Sequence, residues 1–151
     1  MGKETYQYVT YIASTRERVW DALIKPEFTK QYWGNDNISD WKPGSAWEHR
    51  NSGGSGEVRL VGKVVEVDAP RRLVLTWAFP ADAANAAAHT RVTFELEQIE
   101  TMVRLTVTHS DLAPGSEMQK GITEGWPRVL SSLKSFLETG KSLPTWSGKR
   151  T

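Results

Sequence analysis

Three histidines, at 49, 89 and 109, are the only side chains in this 151-residue sequence whose ordinary pKa lies near neutrality. There is no Cys to act as a thiol nucleophile, disulfide partner or soft metal ligand. The histidines fall in no H-E-x-x-H or other metal-ligating spacing, and neither metal nor cofactor is expected. His49 and His109 converge if both point inward, with Glu66 as a candidate carboxylate; the same pair also reads as hydrogen-bonded core histidines. His89 reads as a loop residue. Carboxylates at 66 and 68 and at 95 and 97 alternate along strands or lean to solvent, which suits solvated charge better than an acid-base couple. No G-x-S-x-G elbow is present. Gly140-Lys141-Ser142 resembles the end of a phosphate-binding loop, but position 135 is Ser where a Gly belongs, and the triplet follows a helix. The glycines of 53–56 read as a hairpin tip. No catalytic residue is assigned.

The stronger signal is aromatic. The sequence holds seven Trp, more than a core of this size needs, and Trp33, Trp41, Trp47, Trp77 and Trp126 fall on elements expected to surround one covered sheet face. Indole walls with a few polar groups suit an apolar ligand cavity; they equally suit a core filled between helix and sheet.

Composition narrows the classes further. Lys+Arg number 19 against 18 Asp+Glu, a net charge of +1, which argues against nucleic-acid binding by charge neutralisation. No stretch approaches the roughly 20 apolar residues of a membrane span. The N-terminus lacks the apolar core of a signal peptide, so a cytoplasmic location is the expectation. One domain over 1–141 is expected, with 142–151 as a tail that Trp146 anchors in part.

The elements that position the aromatic residues follow from periodicity. Tyr6 to Ile12 is rich in strand formers. Ser14-Thr15-Arg16-Glu17 fits a capping box, opening a helix through Val19, Trp20, Leu23 and Ile24. Pro26 prevents simple continuation and starts a second short helix that Gly34 stops. Five strands follow near 45–50, 57–67, 72–79, 90–98 and 102–109, consecutive and most simply antiparallel. Leu73, Leu75 and Trp77 share one face, as do Val92, Phe94 and Leu96, and Val103, Leu105, Val107 and His109; the opposite faces are polar. Valines of both parities leave the faces of 57–67 open. The alanine-rich run 81–88 reads as a helical turn or a hairpin insertion. Ser116-Glu117-Met118-Gln119 caps a long last helix ending at Gly140, with a bend or restart expected near Gly125 to Pro127.

Four pieces of the chain, in order, carry a resemblance. They are Arg18-Val19-Trp20-Asp21-Ala22-Leu23 after the first strand, the stretch from Gly62 to Trp77, Leu105-Thr106-Val107-Thr108-His109-Ser110, and the helix from Gly125-Trp126 through Leu130 and Leu133. Together they resemble the activator of heat-shock-protein-90 ATPase homologue family, of the START-like, or SRPBCC, superfamily. The resemblance implies an α+β helix-grip fold: a curved antiparallel six-stranded sheet wrapped around a long C-terminal helix, with two short helices between strands 1 and 2. It implies a hydrophobic cavity with Trp33, Trp47, His49, Trp77, Phe94, His109, Trp126 and Leu130 as ligand-binding positions. Binding of a small hydrophobic or lipid-like molecule is the leading expectation, as a monomer or homodimer. A chaperone-ATPase-activating interaction domain, tied to stress response, is the alternative. It is the weaker one because the family's eukaryotic founders carry an additional N-terminal domain for which this chain has no room. A cyclase- or hydrolase-like enzyme with His109 as general base is the third.

Overall fold

The computed structural model describes residues 2–52 and 55–143. The elements are β1 (Glu4–Ile12), α1 (Arg16–Ile24), α2 (Pro26–Tyr32), β2 (Asn35–Ser39), β3 (Ala46–Asn51), β4 (Val58–Asp68), β5 (Arg72–Trp77), β6 (Thr90–Ile99), β7 (Met102–Leu112) and α3 (Glu117–Thr139). All strands join one open antiparallel sheet in the order β1-β7-β6-β5-β4-β3-β2. The helix-grip fold is present, with seven strands in place of the expected six. The added strand is β2, whose sequence Asn-Asp-Asn-Ile-Ser carries strand-disfavouring residues and puts Asn35 and Asn37 on its buried face, so no apolar alternation announces it. The alanine-rich run forms two single 3-10 turns, Pro80–Asp82 and Ala86–Ala88.

Helix starts follow local polar chemistry, with one shift. Ser116 caps α3 by accepting from Gln119 N at 3.1 Å. At α1 the cap is Thr15, which accepts from Arg18 N at 3.3 Å, and not Ser14. Ser14 is drawn into the core margin, where its hydroxyl has no partner among the described residues. The α3 helix runs unbroken through Pro127, without the expected restart. Gly140 ends it at φ +82°, a left-handed conformation that suits glycine.

The core lies between α3 and one sheet face. Met118, Ile122, Trp126, Val129, Leu130, Leu133 and Leu137 pack from α3 against the inward residues of β5, β6 and β7. The ambiguous valines of β4 resolve through a bulge: register shifts between Val64 and Glu66, so Val64 and Val67 both reach the core although three residues apart, while Val65 is exposed. Beyond Leu143, including Trp146, the chain lies outside the described residues. Leu143 itself is held by its N–H to Ser132 Oγ at 3.1 Å.

Gly62 is the tightest backbone approach in the sheet. Trp47 lies across it to donate Nε1–H to the Thr76 carbonyl at 2.8 Å, and a Cβ at Gly62 would overlap that carbonyl and stand 2.5 Å from Trp47 Nε1. Gly62→Ala is therefore expected to destabilise by about 2–3 kcal/mol, near the upper range for overpacking, lowering Tm by roughly 5 °C or more. Gly121→Ala, in α3 with open space around it, is expected to stabilise by about 0.5–1 kcal/mol. Parallel urea melts of the two variants check both signs.

Candidate functional site

The inward residues of β3, β5, β6 and β7 and the middle of α3 meet in one aromatic cluster. Strand period two places Trp47 and His49 on the inner face of β3, Trp77 at the end of β5, Phe94 in β6 and His109 in β7. Trp33, at the C-cap of α2, closes the cluster from one side and Trp126 of α3 from above. Trp77 is central: its ring lies 4.8 Å from Trp47, 5.4 Å from Trp126, 5.8 Å from His109 and 6.3 Å from Trp33, centroid to centroid. Trp33 sits 4.4 Å from His49 and 5.7 Å from Trp126, and Phe94 meets Trp126 edge-on at 5.8 Å. Seven of the eight sequence-derived positions therefore share one ring cluster, and Leu130 is buried in the same core. Trp41 stays at the margin, half-buried in a turn at φ +56°.

The two interior histidines do different work. Trp126 donates Nε1–H to His109 Nδ1 at 3.1 Å, so the proton of this imidazole is on Nε2, which lies 2.7 Å from Thr90 Oγ1. Thr90 in turn donates to the Trp77 carbonyl at 2.9 Å. This relay ties α3 to β7, β6 and β5 and commits both nitrogens of His109 to the protein. His49 Nδ1 lies 2.5 Å from Asn37 Oδ1, and Asn37 donates its amide to the Leu23 carbonyl at 3.0 Å. The histidines do not form the pair considered from sequence with Glu66, which instead meets Arg72 at 3.1 Å. Among the described residues no group of His, Asp and Glu could hold a metal. His89 is a loop residue, as expected, pinning the alanine-rich turns through the Asp82 and Ala83 carbonyls at 3.2 and 3.1 Å.

One polar atom of the cluster is left over. Trp77 Nε1 is buried, in a residue only 3% exposed, and has no hydrogen-bond partner among the described residues. Sequence reasoning found the rings but missed Thr90, Asn35 and Asn37. The available signal was Asn35 and Asn37 two apart, the strand period, with polar side chains on the covered face.

Burial holds both interior imidazoles neutral. It lowers the His109 pKa to about 3 from the ordinary 6.5, and burial with the Arg59 charge lowers His49 to about 3. Between these values and 6.5 the unfolded chain binds protons that the folded chain refuses, so stability falls as pH drops through that window. Each histidine contributes a slope of about 1.4 kcal/mol per pH unit. Urea midpoints measured from about pH 6.5 down to 4.5 should show this loss, and His49→Gln or His109→Gln should each remove about half of the histidine slope. A pH-independent midpoint in this range would contradict the arrangement.

The comparisons with known proteins agree with this architecture. The solution structure of the Aha1 dimer from Colwellia psychrerythraea superposes with a TM-score of 0.75 at 24% identity, covering 92% of this chain and 99% of that one. The solution structure of a Cytophaga hutchinsonii protein gives 0.72 at 27% identity, with 91% and 95% covered. An HSP90 activator from Plasmodium falciparum gives 0.66 at 20% identity, with 81% and 86% covered. No curated protein matches the chain significantly. The family described as Activator of Hsp90 ATPase homolog 1-like protein matches residues 13–138, and with most of its length so matched the chain belongs to that family.

Proposed function

We propose that the domain spanning 1–141 binds a small apolar molecule with a polar end at the aromatic cluster between α3 and the sheet. The observation that carries this reading is the unpartnered indole N–H of Trp77. A buried donor without an acceptor costs about 1–3 kcal/mol, whereas the other indole donors of this cluster whose bonds are described, those of Trp47 and Trp126, are satisfied within the protein. A ligand acceptor would relieve that cost. Because the rings stand within 4.4–6.4 Å of one another, an occupant must be small and must displace an indole to enter. The enzymatic reading has little support, since His109 has no ring nitrogen left to take a proton from a substrate.

The family description and the Plasmodium falciparum HSP90 activator support a second reading, a chaperone-activating interaction domain. The two readings separate cleanly. A panel of small aromatic, fatty and sterol compounds is expected to contain one that quenches indole fluorescence and raises Tm; at a hundredfold excess over Kd the gain is about 2.7 kcal/mol. No shift from any compound would remove the first reading. Stimulation of a heat-shock-protein-90 ATPase by the purified domain would support the second, and an unchanged rate at saturation would remove it.

A further inference from the structure

We propose that the bare edge of β1 pairs antiparallel with β1 of a second copy of this chain, about a two-fold axis at Gln7, joining two sheets into one. This surface is separate from the aromatic cluster and does not depend on the ligand-binding reading.

An open sheet has two edges, and here they are treated differently. At one end β2 is covered by α2, whose Thr29 hydroxyl accepts from Asn37 N at 3.2 Å. At the other end β1 pairs with β7 from Glu4 to Ile12, and no described strand lies on its far side. The direction of its backbone groups follows from its last residues. The Tyr11 carbonyl accepts from Lys134 Nζ at 2.5 Å and Ala13 N donates to Glu138 Oε2 at 2.8 Å, both on α3, so these groups point away from β7. The tight turn between Ile99 and Met102 agrees: it commits Met102 to β6 and therefore Val103 to Ile12. Backbone direction alternates along a strand, so the N–H and C=O groups of Thr5, Gln7 and Val9 also point away from β7. Among the described residues none of these groups has a partner.

Nothing in the strand blocks this edge. From Thr5 to Ile12 it holds neither charge nor proline, the usual guards of an exposed edge. The register shift in the β1–β7 pairing, between Glu4 and Tyr6, puts the extra residue in β7 and leaves β1 regular. The caps from Lys134 and Glu138 begin only at Tyr11. Beside the open groups, Val9 and Tyr11 are 44% and 45% exposed on the outer face.

A second copy fits this edge better than a foreign strand because the open stretch is its own complement. Thr5, Gln7 and Val9 are symmetric about Gln7. A two-fold axis there sets Thr5 opposite the second copy's Val9 and Gln7 opposite Gln7, with about six ladder bonds. The pairing buries no charge. The same register brings the Tyr11 end of one strand to the Glu4 end of the other. Lys134 stands at Tyr11, and Glu4 reaches the same helix side, where it meets Gln119; Glu138 lies further out, at Ala13. Opposite charges therefore face each other on both sides of the axis.

Sedimentation of the full chain from about 10 to 500 μM is expected to show a concentration-dependent dimer, as suits a small interface. Amide exchange on the same samples reads the edge directly. The Gln7 and Val9 N–H groups are expected to slow at least about tenfold as the dimer forms, while Tyr8 and Thr10, already bonded to β7, change little. Gln7→Lys and Gln7→Glu, at an exposed position, are each expected to weaken the dimer at least about tenfold, and an equimolar mixture of the two to restore it. A wild type that stays monomeric throughout overturns the proposal, even if its edge accepts an unrelated extended peptide. So does a dimer that Gln7→Lys leaves intact, or one whose Gln7 and Val9 amides exchange as fast as in the monomer.

Discussion

Trp126 reaches from the helix to a histidine on the sheet, and the bond it makes sets much of the interior. By donating to His109 Nδ1 it leaves the proton on Nε2, which donates to Thr90 Oγ1, and the Thr90 hydroxyl donates its own proton to the Trp77 carbonyl. Each link is buried, so each group must find its partner inside the protein or remain desolvated and unpaired. The relay therefore locates α3 relative to three strands through directional bonds, where apolar packing alone would tolerate small slides. Its requirement for a neutral imidazole is also why the fold resists protonation at this point.

The sheet provides the second constraint. Gly62 lets the Trp47 indole lie flat across β4 and bond to β5, and the bulge after Val64 returns the strand's valines to the core after its pairing changes from β3 to β5. With Trp47 bonded across Gly62 to the Thr76 carbonyl, its ring comes within 4.8 Å of Trp77 on the sheet side of the cluster. Any side chain at position 62 would stand where the indole now lies.

Family membership and fold leave the chemistry open, because one fold hosts many functions and the site must decide. Here the site is defined by what is left after internal bonding. His109 is consumed by the structure, whereas Asn35 Oδ1 and Trp77 Nε1 are buried without a partner among the described residues. The two interior histidines, alike in sequence, are held differently: His109 bonds through both ring nitrogens, whereas His49 bonds through Nδ1 to Asn37 and packs 4.4 Å from the Trp33 ring.

The antiparallel strands, the long amphipathic helix, the cap at Ser116 and the inward row of β7 were legible in the sequence because each depends on local periodicity or on a side chain meeting its own backbone a few residues away. The grouping of Trp33, Trp47, Trp77 and Trp126 followed from the same face assignments together with the family resemblance. Strand β2 was not legible, since its buried face is made of Asn35 and Asn37, polar residues tolerated there only because the Leu23 and Trp33 carbonyls accept from them. Neither was the cap at Thr15, which displaced Ser14 because the core margin claimed Ser14 first. The tautomers of His49 and His109, and the isolation of the Trp77 N–H, came from tertiary structure alone. A proton's position depends on which atom stands a hydrogen bond away, and Trp126 and His109 are 17 residues apart in the chain.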